Sequence, residues 1–172
     1  RIVQDGNLVG NHTFTHPNLA LTSDFVTKLE IDANQRLIEA ILNRRSFFFR
    51  PPYFGDAEPT TNDELVPVDI ASKRGYVTVG LHIDAEDWQP ISAQQIIRNV
   101  VDQRYYGGVV TAGGLRSGGN VILLHDGGGN RSQTVLALGP IIDSLRAHGD
   151  TIVPLSELAG ISREEAMPGL PP

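Results

Sequence analysis

The chain of 172 residues contains no cysteine, so disulfide scaffolds and zinc sites built from thiolates are excluded. Basic residues are in the minority: 14 Lys and Arg stand against 20 Asp and Glu, for a formal net charge of −6. This balance argues against nucleic acid or an anionic membrane as a partner, because both are bound through clusters of basic residues. A run of about 18 apolar residues is also missing, so no membrane-spanning helix is predicted.

The amounts of hydrophobic and charged residues, 40% and 20%, are ordinary for one globular domain that buries its core without crosslinks. The chain begins at Arg1, and its first six residues are typical of the last turn of a helix that ends at Gly6. We therefore expect the natural polypeptide to continue upstream of Arg1.

Helical and strand patterns alternate along the chain, which predicts an α/β fold built from βαβ units. The first helix is predicted from apolar residues at helical spacing, namely Val26, Leu29, Ala33, Leu37, Ala40 and Ile41. Predicted helices cover residues 22 or 23 to 43, 60 or 61 to 74, 92 to 104 and 132 to 148. Predicted strands cover 47–49, 76–83, 120–124 and 151–154.

Two segments have the composition of connections. Residues 105–120 are rich in glycine and predict a long loop. Residues 162–172 have the proline and charge content of a linker or tail. We therefore predict one domain over residues 1–161, followed by a linker.

Four polar clusters each follow an apolar run: NHTFTHP, RPPY, DAEDW and LLHDGGG. In parallel α/β folds the carboxyl ends of the strands open on one common face. The four clusters therefore predict one composite site.

His12 and His16 are four residues apart, a spacing that lets two rings hold one cation. Pro17 disfavours a regular helix through His16, so a looped pair is expected. The alternative is two surface histidines bonded within a turn. A metal site also needs a third protein ligand, commonly a carboxylate.

His125 ends a predicted buried strand, and Asp87 is a candidate partner that would orient its ring. A histidine held by an aspartate suits general acid catalysis, while the alternative is a core histidine bonded to backbone carbonyls. Trp88 is the only tryptophan, and it suits either a stacking platform for a sugar ring or ordinary core packing.

Arg50 follows three phenylalanines and precedes two prolines, so its guanidinium needs a carboxylate to pair with, unless it is a surface arginine. The prolines restrict the chain path, which helps to aim the backbone N–H of Tyr53 or Phe54 at a developing oxyanion. Gly127–Gly129 lack the lysine and hydroxyl residues of a phosphate-binding loop, so nucleotide binding is not expected.

Taken in this order, NHTFTHP, FRPPY, DAEDW and LLH resemble the motifs of the polysaccharide deacetylase family, the NodB-homology domain of carbohydrate esterase family 4. The resemblance implies a distorted (β/α) barrel that binds a divalent metal through two histidines and one aspartate. The metal is usually zinc, with cobalt or nickel as alternatives. Members of the family hydrolyse N-acetyl or O-acetyl groups on sugars.

The resemblance assigns roles to the residues of the first two motifs. His12 and His16 match the metal-binding histidines. Arg50 matches the arginine that pairs with the catalytic base, and Tyr53 matches the residue whose backbone N–H helps to form the oxyanion hole.

The last two motifs carry the remaining roles that the resemblance implies. His125 matches the general acid, and Asp87 matches the residue that orients it. Trp88 would form a wall of the sugar groove, and Leu123 would line the pocket for the acetyl methyl group.

The first motif of the family, Thr-Phe-Asp-Asp-Gly-Pro, has no counterpart in this sequence. In the family it supplies both the third metal ligand and the general base. The resemblance therefore implies a barrel truncated at its N-terminus, inactive in this form, with both carboxylates upstream of Arg1. The stretches HDGGGNRSQT and SREEAMPGLPP also resemble the branch fused to a membrane glycosyltransferase, which implies an extracytoplasmic or cell-surface location with a membrane tether outside this chain.

The expected function is metal-dependent removal of N-acetyl groups from a polysaccharide that contains N-acetylglucosamine, such as a chitin-like polymer, peptidoglycan or poly-N-acetylglucosamine. One alternative is an O-acetyl esterase acting on xylan-like chains. Another is a degenerate domain that binds glycans without catalysis. An iron oxygenase with two histidines and one carboxylate is disfavoured, since it gives Arg50 and the Asp87–His125 pair no role.

Overall fold

The computed structural model describes residues 1–53, 59–103, 109–110, 116–117 and 120–171. The chain divides into two compact units: unit 1 comprises Arg1–Gly80 and Pro154–Pro172, and unit 2 comprises Leu81–Val153. Within the described ranges, none of the helices combines the length and the apolar character needed to cross a membrane.

Helices and short strands are interspersed along the chain, in keeping with the predicted α/β class. The helices are α1 (Asp24–Leu42), α2 (Asn62–Ser72), α3 (Ala93–Gln103), α4 (Ser132–Ala147), α5 (Leu155–Leu158) and α6 (Arg163–Ala166). The strands are β1 (Phe48–Phe49), β2 (Val77–Thr78), β3 (Ile83–Asp84), β4 (Val109–Val110), β5 (Arg116–Ser117) and β6 (Ile122–Leu123). β1 pairs in parallel with β2, and β3 pairs in parallel with β6, whereas β4 and β5 are antiparallel.

Helix α1 has the predicted limits but buries a different face. It begins after Ser23, whose hydroxyl accepts a hydrogen bond from the Val26 amide, and ends at Asn43 in the left-handed conformation. The apolar residues that predicted this helix lie largely in solvent. Its buried side chains are instead Thr27, Ile31, Gln35 and Ile38.

The buried polar residues of α1 are accommodated because each finds a hydrogen-bond partner. The Thr27 hydroxyl lies 2.8 Å from that of Thr22, and the Gln35 amide oxygen accepts a bond of 2.6 Å from the Tyr76 hydroxyl. Apolar character alone therefore misidentified the inner face of this helix.

In unit 1, the segment that contains Asn11 lies beside strand β1, next to the core of this unit. This core consists of Leu19, Ile31, Phe49, Ile70, Ala71 and Tyr76. Beside β1, the Asn11 amide donates to the Phe48 carbonyl at 2.8 Å, and the Arg50 amide donates to the Asn11 carbonyl at 3.0 Å. The two motifs NHTFTHP and RPPY therefore leave the strands at the same edge.

Unit 2 brings two other motifs to neighbouring strand ends. Its core combines residues of β3, α3 and α4 with Ala85: Ile83, Ala85, Ala93, Ile96, Val100, Ala137, Ile141 and Leu145. In the β3–β6 register, Ile83 faces Ile122 and Asp84 faces Leu123. Asp87 and His125 thus follow adjacent parallel strands.

Two predicted strands differ from the structure. The predicted strand 76–83 forms two short strands, because β2 pairs within unit 1 and β3 pairs within unit 2, with Gly80 between them. Residues 151–154 form no strand, and Pro154 instead precedes α5. Most of the predicted loop 105–120 lies outside the described residues.

Residues 162–170 pack within unit 1, whereas their composition predicted a linker or tail. Ser162 and Glu165 form a reciprocal capping box that starts α6. Ala166 and Met167 are buried, and the Ala166 carbonyl accepts a hydrogen bond of 3.0 Å from the Phe47 amide. Two apolar side chains and the capping box outweigh the linker-like composition of this segment.

Met167→Ala should lower the free energy of unfolding by about 2–4 kcal/mol, because the change leaves a cavity at a side chain that is only 1% exposed. Urea denaturation would measure this change. The control is Leu21→Ala, which removes an apolar side chain that is 84% exposed and should change stability by less than about 0.5 kcal/mol. Equal stabilities of the two variants would show that the tail does not contribute to the fold.

Candidate functional site

The structure brings His12 and His16 together on a loop, as their spacing and Pro17 predict. The ring centroids are 4.9 Å apart, and the rings are inclined at 77°. His16 is exposed, while His12 is half-buried. The pair therefore has the geometry of two neighbouring nitrogen donors accessible from solvent.

The loop between these histidines has an unusual backbone. Thr13 and His16 have φ angles of 67° and 62°, in the left-handed region that costs a residue with a Cβ about 1–2 kcal/mol. Asn11, which is buried, accepts a bond from the Thr13 amide, and the Thr13 hydroxyl accepts one from the His16 amide. Asn11 was missed at the sequence level, although it is the first residue of the motif.

Arg50 contacts His12 through two atoms. Its carbonyl oxygen lies 2.5 Å from His12 Nδ1, and its Nη2 lies 3.5 Å from His12 Nε2. Because a carbonyl oxygen only accepts, Nδ1 of His12 donates to the Arg50 carbonyl, and Nε2 is the ring nitrogen that faces the Arg50 guanidinium. This is the usual arrangement of a metal-binding histidine whose other ring nitrogen is held by the protein.

Tyr53 stands beside His16 at the end of two buried prolines. Its ring centroid lies 5.0 Å from that of His16, and its side chain is 72% exposed. Its φ of 63° is again left-handed, so Pro51 and Pro52 lead into a constrained turn, as the Pro-Pro sequence predicts. Phe54, the other candidate donor of an N–H, lies outside the described residues.

In unit 2, Asp87 and His125 form the hydrogen-bonded pair that the sequence predicts. Asp87 Oδ1 lies 2.8 Å from His125 Nδ1, and Oδ2 accepts bonds of 2.8 Å from the His125 amide and from the Thr134 hydroxyl. Burial raises the pKa of Asp87, but the hydrogen bonds from His125 and Thr134 lower it more, so the net pKa falls below the usual range. The pair therefore contains a buried carboxylate that stays charged.

Arg131 organises the backbone around this pair and was not predicted. Its guanidinium donates to the carbonyls of Asp87, at 2.7 Å, of Gly127, at 2.7 Å, and of Gly128, at 3.0 Å. Gly129, next to this turn, has a φ of 136°, which favours glycine. The segment HDGGGNRSQT is thus a loop closed by its own arginine, and Thr134 at its end bonds to Asp87.

Trp88 and Leu123, the two residues that the resemblance assigns to the substrate, differ in exposure. Trp88 is 55% exposed, which excludes the alternative of ordinary core packing. Leu123 is half-buried in β6, opposite Asp84. Their roles toward a sugar stay predictions.

The chemistry of His12 and His16 fits two ligands of a divalent metal, since both are imidazoles on one short loop. Within the described part of the chain, no three His, Cys, Asp or Glu side chains are grouped so that they could hold a metal ion. Among the described residues, the candidate nitrogen donors of the motif are His12 and His16.

The chain is similar to a known protein family and to several characterised proteins. The polysaccharide deacetylase family matches residues 1–79. The chain is 32% identical over 162 residues to a peptidoglycan-N-acetylglucosamine deacetylase of Bacillus cereus, a match that covers 92% of this chain and 66% of that protein. The chain spans between about half and two thirds of the length of the first curated relatives that it matches.

Two solved structures support the same fold. The crystal structure of a peptidoglycan N-acetylglucosamine deacetylase matches with a TM-score of 0.75 at 28% identity, over 95% of this chain and 68% of that chain. A protein from Bacillus anthracis that is named a pseudoenzyme of carbohydrate esterase family 4 matches with a TM-score of 0.70 at 25% identity, over 91% of this chain and 48% of that chain.

Thr134→Val should raise the pKa of Asp87, because the carboxylate loses a hydrogen bond while its burial persists. The lowered pKa of Asp87 stabilises the fold above the ordinary value of 3.8, and this contribution disappears as the pH falls through the folded-state pKa. The variant should therefore lose stability at neutral pH and approach the wild type in acid. Carboxyl ¹³C titration and urea denaturation would measure both effects.

The matched control for this change is Thr27→Val, which removes a buried hydroxyl of unit 1 whose partner is Thr22. It should leave the pKa of Asp87 unchanged. A pKa of Asp87 that stays the same in Thr134→Val would show that the hydroxyl does not hold the carboxylate.

Proposed function

Because the chain belongs to the polysaccharide deacetylase family, we propose that it contributes to a metal-dependent enzyme that removes N-acetyl groups from a polysaccharide containing N-acetylglucosamine. The hydrogen-bonded pair of Asp87 and His125 carries this proposal. Amide hydrolysis expels an amine, a poor leaving group unless it is protonated, and a histidine held by a buried carboxylate is suited to deliver that proton.

His12 and His16 are the residues that would hold the metal. Deacetylases of this family depend on a divalent metal in general, and we propose zinc, with cobalt or nickel as alternatives. When bound, such an ion supplies a Lewis acid and a water molecule of lowered pKa. We assign the third ligand and the general base to the Asp-Asp motif that the resemblance places ahead of His12.

The residues around the metal-binding loop orient the His12 ring and stabilise negative charge during the reaction. The Arg50 carbonyl holds the His12 ring with Nε2 presented, and the Arg50 guanidinium supplies positive charge beside a catalytic carboxylate. The backbone N–H of Tyr53 donates to the acetyl oxygen as it gains negative charge, and such a donor is typically worth about 3 kcal/mol in the transition state.

In unit 2, His125 donates the proton to the leaving amine, while Asp87 orients the ring and stabilises its positive charge. Trp88 provides an exposed indole face for a sugar ring, and Leu123 provides apolar surface for the acetyl methyl group. Because such polymers lie outside the cytoplasm, we also propose an extracytoplasmic or cell-surface location.

The proposal is tested by acetate release from chitin oligosaccharides, peptidoglycan and acetylxylan, measured in parallel with the full-length protein and added Zn²⁺. We expect acetate from at least one of the first two substrates. Release from acetylxylan alone would replace this proposal with an O-acetyl esterase.

A second candidate function is glycan binding without catalysis. It is supported by the similarity to the Bacillus anthracis protein that is named a pseudoenzyme of carbohydrate esterase family 4. Binding of chitin oligosaccharides that perturbs Trp88 fluorescence, with no acetate released in the presence of Zn²⁺, Co²⁺ or Ni²⁺, would favour this candidate.

His125→Ala should lower acetate release by the full-length protein by about 100-fold or more while metal binding persists, because only the proton donor is lost. His12→Ala should abolish both activity and metal binding. The control is His148→Ala, which changes an exposed histidine at the C-terminal end of α4 and should leave both unchanged. Near-normal turnover of His125→Ala would refute the assignment of the general acid.

A further inference from the structure

The loop that carries His12 and His16 satisfies its backbone amides through side chains. The Thr13 amide donates to Asn11 Oδ1 at 3.0 Å, and the His16 amide donates to the Thr13 hydroxyl at 3.2 Å. These two acceptors belong to the loop's own motif. The two amides between them, those of Phe14 and Thr15, are bound by an acceptor from elsewhere in the fold.

Glu30 of α1 is that acceptor. Its Oε2 accepts hydrogen bonds from the Phe14 amide, at 2.9 Å, and from the Thr15 amide, at 2.7 Å. Its Oε1 accepts a third bond of 2.7 Å from the Thr15 hydroxyl. One carboxylate therefore binds the middle of the loop through three donors, and bonds to a charged acceptor are stronger than neutral ones.

The same turn of α1 also holds the start of the loop. The Asn11 side-chain amide donates to the Ile31 carbonyl at 2.9 Å, and the Asn34 side-chain amide donates to Asn11 Oδ1 at 3.0 Å. The loop is thus attached to α1 at its first residue and at its middle. Glu30 supplies the attachment at the middle of the loop, at Phe14 and Thr15.

The ionisation state of the Glu30 carboxyl group agrees with this role. Burial raises its pKa, but the hydrogen bonds from Thr15 and Phe14 lower it more, so the net pKa lies below the usual range. The carboxylate is therefore charged at neutral pH. With both oxygens engaged by the loop, Glu30 acts as an anchor of the backbone.

We propose that Glu30 is the positioning residue of the His12–His16 pair: its carboxylate holds the left-handed loop so that both rings are in place before a cation binds. The inference rests on the proposed function for the identity of the ligand, a divalent metal. It assigns to α1 a part in metal binding although α1 supplies no ligand.

The test compares the full-length protein with its Glu30→Ala and Glu30→Gln variants, using Co²⁺ as the probe. We expect Glu30→Ala to weaken Co²⁺ binding by about tenfold, as losses of residues supporting metal ligands commonly do. Glu30→Gln keeps one acceptor oxygen and should recover part of the affinity. Visible absorption of Co²⁺ during titration would give the dissociation constants.

The matched control is Asp32→Ala on the same helix. Asp32 accepts two hydrogen bonds from the Arg74 guanidinium, at 2.7 and 3.0 Å, and has no part in the loop contacts. This variant should lose stability in urea without any change in Co²⁺ affinity. A general loosening of α1 would instead weaken Co²⁺ binding equally in Asp32→Ala and Glu30→Ala, and would overturn the inference.

Amide hydrogen exchange supplies a readout that does not need the metal. The Phe14 and Thr15 amides should exchange at least about tenfold faster in Glu30→Ala and at the wild-type rate in Asp32→Ala. If the unaltered full-length protein binds no Co²⁺ while these amides lose protection in Glu30→Ala, the metal assignment of the proposed function fails and the anchoring by Glu30 stands. Unchanged protection, or unchanged Co²⁺ affinity in Glu30→Ala, would overturn the inference.

Discussion

The candidate metal-binding loop of unit 1 depends on the hydrogen bonds that Asn11 exchanges with β1. Its amide donates to Phe48, and its carbonyl accepts from the Arg50 amide, so the two chain segments leave the strands together. His12 then lies with Nδ1 against the Arg50 carbonyl, which fixes the orientation of its ring. Without this pairing, the four-residue spacing of the two histidines would not determine where their rings lie relative to Arg50.

Backbone strain concentrates at the predicted functional residues. Among the described residues, those other than glycine with positive φ are Thr13, His16, Asn43, Tyr53 and Glu86. Asn43 ends a helix, where this conformation is common. The other four lie at or next to residues that the motifs assign to the site, and strained residues of this kind persist only where their surroundings hold them. The side chains that bind the loop after His12 are therefore part of the site.

Several parts of the fold could be predicted because their causes are local. Ser23, Thr61 and Ser92 each cap a helix that follows within the next residues, and the sequence shows both the cap and the helical pattern. The same holds for the turn at Pro51 and Pro52, which restrict their own backbone. In contrast, the buried face of α1 depends on which polar groups meet a partner across the core, and hydrophobicity could not show that.

The sequence by itself determined the α/β class, the approximate limits of helices α1 to α4, the two histidines on a loop and the candidate pair of Asp87 and His125. These features follow from local spacing and from four ordered motifs. Only the tertiary structure decided that Thr134 and Arg131 hold the Asp87 region and that Glu30 binds the histidine loop. The physical reason is that a hydrogen-bond acceptor is chosen by distance in space, and packing brings Glu30 to amides some 15 residues earlier in the chain.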